Sequence, residues 1–263
     1  MKFISIVSSH RKNGNTEQLV GLVEEELRSI AESKHENIQI ERISLGNAEL
    51  KMCLGCRACF DKGEEFCPLK DDLLLIRDKI NNAEGFIFAS PVYVEDVNGI
   101  MKNWIDRMAF YCHRPGLAGK AAVILTTSGA GSTSHALNTM KFALMSWGVY
   151  IDGQYKFRAG ELMKQEEMKN LYSRKIKRIS DRLFYAVKGQ KSLKPTFLSL
   201  LIFKVQQMCW QKEDKTNNTF DYMYWKSKGW LEPRCTYYTA VKTNWLKLKI
   251  ARLAGAIAAV FFV

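Results

Sequence analysis

The sequence offers no stretch that reads as a membrane-spanning helix: the apolar tail from Leu253 to Val263 is eleven residues long, and a span needs about 20. A secretory leader is not expected either, because the apolar run Phe3 to Val7 is too short for one and leads into the polar Ser8-Ser9-His10-Arg11-Lys12. Histidine is scarce. The four, at 10, 35, 113 and 135, form no pair at the spacing of a catalytic triad or a metal clasp. No G-x-x-x-x-G-K-[ST] segment points to a nucleoside triphosphate, and no nucleic-acid-binding motif accompanies the basic residues. Carboxylates are sparse in one region only: residues 156 to 263 hold 22 Lys and Arg against 8 Asp and Glu, net +14, whereas residues 1 to 155 hold 17 against 19. The overall charge of +12 therefore belongs to the C-terminal part.

A chain of 263 residues that is 47% hydrophobic has ample material for a packed core and is not disordered as a whole. Its length suits one α/β domain with an extension. Seven cysteines are an odd number, and Cys53, Cys56, Cys59 and Cys67 fall within fifteen residues. In a reducing cytoplasm, the compartment expected here, such clustering reads as metal binding or redox chemistry before disulfides.

Short apolar runs alternate with helical periodicity through the first two thirds. Strands are expected at Phe3 to Val7, Ile38 to Leu45, Gly85 to Ala89, Ala121 to Thr127 and Val149 to Phe157. Helices are expected from Thr16 to Ser33, with Asn15 and Gln18 as a capping box, from Asp71 or Asp72 to Asn82, from Gly99 to Phe110, from Ser134 to Trp147, and on to Val187. Pro91 to Asn98 reads as a loop. Five strands joined by helical crossovers imply a doubly wound parallel sheet in the order 2-1-3-4-5, with ligands at the switch point beyond the first and third strands. The domain reading is 1–190 for this unit, with a cysteine-rich insertion at 46–70, and 191–263 for a basic, aromatic-rich helical extension.

The loop after the first strand, Ser8-Ser9-His10-Arg11-Lys12-Asn13-Gly14-Asn15-Thr16, puts hydroxyls, an arginine and a glycine at a helix N-terminus. Such a terminus suits a single phosphate, although a capped helix after a polar turn fits the spacing equally well. Ser8-Ser9-x-Arg11-x-x-Gly14-Asn15-Thr16 resembles the phosphate loop of the NAD(P)H-dependent FMN reductases of the flavodoxin-like superfamily, which commonly have Gly-Ser where this chain has Ser8-Ser9. Ser90-Pro91-Val92-Tyr93 with Gly99, Lys102, Trp104, Asp106 and Arg107 resembles the family's isoalloxazine-side loop and the helix behind it, and Thr126-Thr127-Ser128-Gly129-Ala130-Gly131 its third flavin loop. The resemblance covers about residues 1 to 150. It implies FMN held by Ser8, Ser9, Arg11, Gly14, Asn15, Thr16, Pro91, Val92, Tyr93, Val94, Thr127, Ser128, Gly129 and Gly131. Tyr93 could cover a ring face, and glycines 129 and 131 could let the main chain approach closely. Lys102, Asp106 and Arg107 read as solvated or subunit-contact residues.

Cys53-x2-Cys56-x2-Cys59 followed by Cys67-Pro68 is the sharpest local signal. Thiolates at this spacing can converge on an iron-sulfur cube with a later cysteine at the fourth corner. The motif, placed before the third strand, resembles that of the iron-sulfur flavoproteins, and the resemblance implies Cys53, Cys56, Cys59 and Cys67 as ligands of a 4Fe-4S cluster exchanging electrons with FMN. Two alternatives stand beside it: zinc, for which three cysteines two residues apart are crowded, and no metal, with reduced thiols or a labile disulfide. Cys112, Cys209 and Cys235 read as small apolar residues.

The resemblance implies an FMN-dependent oxidoreductase that takes hydride from NAD(P)H, or electrons from a reduced carrier protein, with no catalytic side chain because the cofactors carry the chemistry. The alternatives are a cluster-free NAD(P)H-dependent FMN or quinone reductase and a non-enzymatic electron carrier. By analogy a homo-oligomer is expected. Four of six tryptophans (Trp210, Trp225, Trp230, Trp245) lie in the extension. Its helices are expected to pack on the flavin domain or a second subunit. The competing expectation is peripheral membrane contact.

Overall fold

The computed structural model describes residues 1–160, 163–189, 193–213, 219–240 and 243–261. The strands are β1 (Lys2–Val7), β2 (Gln39–Ser44), β3 (Gly85–Tyr93), β4 (Asp96–Val97), β5 (Ala121–Ser128) and β6 (Tyr150–Arg158). Five of them form a parallel sheet in the order β2-β1-β3-β5-β6, and β4 pairs antiparallel with the end of β3. With the β4 hairpin set aside, this is the expected order 2-1-3-4-5. β1, β3 and β5 are rich in apolar residues and buried along nearly their whole length, Ser5 included, because helices cover both faces.

The period of two along each strand divides the core. Ile4, Ile6, Phe86, Phe88, Ala122 and Ile124 face α3 (Leu73–Asn81), α4 (Gly99–Arg107), α5 (Phe110–His113) and α6 (Ser134–Ser146), where Trp104 and Trp147 meet edge to face with ring centroids 5.3 Å apart. Phe3, Val7, Ile87, Ala89, Val123 and Leu125 face α1 (Asn15–Ser33) and α7 (Gln165–Lys188).

Three local expectations need correction. The N-cap of α1 is Gly14, not Asn15: the Asn15 side chain donates to the Ala159 carbonyl (3.1 Å) and accepts from the Met163 amide (2.9 Å), and Gln18 reaches back to the Asn13 carbonyl (2.6 Å). A tertiary partner outcompetes the local cap. Pro91 to Tyr93 continue β3 instead of starting a loop, since proline at the strand end still lets its carbonyl and its neighbours pair. The helix expected from 99 to 110 is two, α4 and the short α5.

Beyond the sheet, α8 (Phe197–Lys212), α9 (Phe220–Ser227) and α10 (Trp245–Ala259) enclose a third core of Leu200, Phe203, Trp225, Trp230, Tyr237, Tyr238 and Ala251. The expectation that the extension hides its aromatics holds for Trp225 and Trp230. Trp245 is exposed. The expected domain boundary at 190/191 and the final residues of the tail, Phe262 and Val263, lie outside the described residues. Among those described, no helix is long and apolar enough to cross a membrane.

Candidate functional site

Two sites stand out, and α4 is tied to both: its N-cap Asn98 holds the Ser8 carbonyl behind the first, and its Asp106 and Arg107 line the second. The first is a crevice of about 170 Å³ at the C-terminal ends of β1, β3 and β5. Ser9, Arg11, Gly14, Asn15 and Thr16 come from the first loop, Pro91, Val92 and Tyr93 from the second, and Thr127, Ser128 and Gly129 from the third. The three expected segments thus meet around one opening, joined by Ala159 and Gly160 after β6, which sequence reasoning missed. The signal was available, because the last strand of such a sheet ends at the same edge.

The first loop folds back on itself. The Arg11 amide donates to Ser9 Oγ (3.2 Å) and the Gly14 amide to the Arg11 carbonyl (3.1 Å). A Cβ on residue 14 would sit 3.0 Å from Arg11 Cβ and 3.1 Å from its carbonyl oxygen, so a side chain there would make the turn shift by a few tenths of an ångström. The result points the first turn of α1, whose leading amides have no partners within the helix, at the crevice. Thr16 Oγ1 and Thr127 Oγ1, 2.6 Å apart, tie the first loop to the third.

Ser8, Val94 and Gly131 do not line the crevice. Ser8 is buried behind it, donating from Oγ to Ser90 Oγ (3.1 Å) and accepting at its carbonyl from Asn98 Nδ2 (2.5 Å). The Gly131 carbonyl accepts from Arg158 Nη1 (2.7 Å) and Ser128 Oγ (3.0 Å). At Gly129 a Cβ would lie 3.2 Å from the Gly160 Cα, so these two loops pass close together; at Gly131 it would make only ordinary contact, 3.9 Å from Glu95 Cγ and 4.0 Å from Ser128 Oγ. Val94 and Glu95 form the two-residue turn between β3 and β4 with φ of 49° and 63°, and Val94 is fully exposed. Left-handed backbone at a β-branched residue is strained, and this strain stands beside the half-exposed Tyr93 at the crevice rim.

The second site is a cavity of about 80 Å³ lined by all four cysteines of the insertion, with Leu54, Phe60, Leu69, Leu73 and Phe110 as apolar walls. Cys53 and Cys56 are exposed; Cys59 and Cys67 are half-buried. The four cysteines line this space, but among the described residues no group of three His, Cys, Asp or Glu is placed to hold a metal ion. Burial pushes the Cys59 thiol above its ordinary pKa, and the neighbouring Cys67 and Cys53 push the same way against the pull of Arg114.

The insertion has little regular structure, a four-residue helix α2 (Ala58–Asp61) and a 3-10 turn at Glu64–Phe66. Its shape is imposed from α4. Asn103 Oδ1 accepts from the Cys53 amide (3.1 Å), and Asn103 Nδ2 donates to the Lys51 carbonyl (3.2 Å). Arg107 was expected to be solvated and is instead buried: it donates to both Asp71 carboxylate oxygens (2.6 and 3.0 Å) and to the Lys51 carbonyl (2.7 Å), with Nη2 3.9 Å from Cys67 Sγ. Lys102 and Asp106 form the expected exposed pair, 2.6 Å apart.

Comparison with known proteins adds an independent finding. Residues 1–160 match the family described as NADPH-dependent FMN reductase. An iron-sulfur flavoprotein of Archaeoglobus fulgidus is 28% identical over 232 residues, covering 88% of this chain and 100% of that one. One from Methanocaldococcus jannaschii is 43% identical over 107 residues, 41% of this chain and 51% of the relative. The structure of the flavoenzyme NAD(P)H:(acceptor) oxidoreductase FerB from Paracoccus denitrificans superposes with a TM-score of 0.51 at 17% identity, over 72% of this chain and 98% of that one, a likeness of fold. With the family match spanning the three loops that meet at the crevice, the chain belongs to the NADPH-dependent FMN reductase family and is an FMN-dependent oxidoreductase.

Proposed function

We propose that the crevice beyond β1, β3 and β5 holds FMN, that the four-cysteine cavity holds a 4Fe-4S cluster, and that electrons from NAD(P)H or a reduced carrier protein pass between the two. The observation that carries the reading is the gathering of two separate sets of residues, three family loops around one opening and four cysteines around another. FMN would supply hydride acceptance and the cluster single-electron exchange.

The residues fit these groups. In the crevice, Arg11 has no carboxylate partner among the described residues and stands beside the first turn of α1, a setting for a phosphate. Ser9, Thr16 and Ser128 offer hydroxyls, and Pro91 and Val92 present main-chain groups to the polar edge of a flat ring. Tyr93, half-exposed at the rim, is placed to cover a ring face. In the cavity, three cysteines two residues apart with a later Cys67-Pro68 suit the separate corners of a cluster, whereas such spacing is crowded for a tetrahedral zinc. The apolar walls limit water around such a group, and the Arg107 guanidinium beside Cys67 offsets thiolate charge. The curated relatives' description as iron-sulfur flavoproteins supports the same reading.

The seven free cysteines belong in a reducing cytoplasm. The exposed face of α10 is the surface for peripheral contact with an anionic membrane: Leu246, Ile250, Leu253 and Ile257 form an apolar stripe beside Lys247, Lys249 and Arg252, with no carboxylate on the helix. Two copies paired through this stripe would face cation against cation.

Anaerobically purified protein is the test. The reading predicts flavin released on denaturation together with iron and sulfide; flavin without iron contradicts the cluster, and protein without flavin contradicts the whole reading.

A further inference from the structure

The limb of the insertion that carries Cys59 is held from a different direction than the limb that carries Cys53. Arg114, just past α5, is almost wholly buried, with a side-chain exposure of 3%. Its Nη2 donates to the Cys59 carbonyl (2.6 Å) and to Glu64 Oε2 (2.9 Å). Its other arm belongs to the C-terminal extension: Nη1 donates to Asp221 Oδ1, and the guanidinium lies 4.7 Å from the centre of the Phe220 ring. Asp221 in turn pairs through Oδ2 with His113 Nδ1 (2.6 Å), and Trp225 Nε1 donates to the His113 carbonyl (2.7 Å). Phe220 also presses on the insertion directly, since a Cβ on Gly63 would lie 3.2 Å from its Cζ. A buried guanidinium needs a carboxylate partner, and the extension supplies one.

We propose that α9 is a latch for the four-cysteine cavity, with Asp221 and Phe220 as positioning residues that hold Arg114 on the Cys59 to Glu64 limb. The extension then has a role that its charge and aromatic content do not reveal: it completes the shape of a cysteine-bearing loop too poor in internal hydrogen bonds to keep that shape alone. The latch is a claim about the polypeptide. Its bearing on iron rests on the cluster reading proposed above.

The full-length chain, freed of iron and reduced, is treated with iodoacetamide, and alkylation of each cysteine is followed by mass spectrometry in the native sequence and in Asp221→Asn and Phe220→Ala. Losing one charge-assisted hydrogen bond raises a local opening equilibrium by about tenfold or more. Alkylation of Cys59 and Cys67 is therefore expected to quicken by about that factor in D221N and by less in F220A, while Cys209 and Cys235, half-buried within the extension, keep their rates. If D221N unfolds, Cys209 and Cys235 quicken too, and F220A, whose ring is 42% exposed, decides. Unchanged Cys59 and Cys67 rates in a folded variant overturn the latch. Iron loss to a chelator, measured on the same three sequences as purified anaerobically and before iron is removed, is expected to quicken in both variants. A native sequence that never holds iron contradicts the cluster reading and leaves the alkylation result standing.

Discussion

At the scale of single residues, Arg107 shows how burial changes the meaning of a charge. In the sequence it is one more basic residue on an amphipathic helix; in the fold its side chain and that of Asp71 are 2% and 1% exposed. Burial opposes ionisation of Asp71, but hydrogen bonds from Arg107 and from the Lys51 and Leu73 amides outweigh it and hold the carboxyl below its usual pKa. A carboxyl whose pKa is lowered on folding adds stability above the unfolded value of about 3.9, and that stability is lost as pH falls through the folded value. Arg107→Met leaves the Asp71 carboxylate buried without its cation, so unfolding in urea at pH 7 is expected to show a loss of about 3–5 kcal/mol. The loss should shrink as pH falls through the Asp71 titration, because protonation removes the uncompensated charge in the variant and the ion pair in the native sequence alike. The crevice residues from Ser9 to Thr16 were legible because they sit in a short polar segment after an apolar strand. Arg107, Asn103 and Arg114 were not, because their partners are 36 to 107 positions away and no local pattern encodes such a pairing.

At the scale of elements, α4 is the strut between the two sites. Its N-cap Asn98 accepts from the Met101 amide (3.1 Å) and reaches the Ser8 carbonyl behind the crevice, while Asn103 and Arg107 grip the insertion. The strand and helix sequence of the first 189 residues was readable from hydrophobic period, and it failed where tertiary partners outbid local ones, as at Asn15. The two faces of α10 separate in the same way. Ala251, Gly255 and Ala259 pack inward, and a Cβ on Gly255 would meet Lys204 Cβ at 2.8 Å and the Leu201 carbonyl at 2.9 Å, so α8 and α10 are in close contact. The opposite stripe is exposed. Co-sedimentation of the full chain with phosphatidylserine-containing vesicles is expected, falling with salt and abolished by Leu253→Asp with Ile257→Asp. Sedimentation unaffected by the double substitution would contradict the role given to this face.

At the scale of the molecule, the charge imbalance that first separates the two parts of the chain does not separate their structures. The basic extension reaches across to the insertion through Asp221 and Phe220, and the alignment with the Archaeoglobus fulgidus relative, at 232 residues, is longer than the 1–190 unit expected from the sequence. One chain therefore carries the crevice proposed for FMN in a parallel sheet and a four-cysteine insertion that the extension contacts through Phe220 and Asp221. The direct test of that arrangement is an anaerobic reductive titration of the purified protein, counting electrons per chain while the visible spectrum is followed. Flavin and cluster together predict uptake of about three electron equivalents, two at the flavin and one at the cysteine site. Saturation at about two, with only the flavin bands bleaching, would contradict a redox group in the four-cysteine cavity.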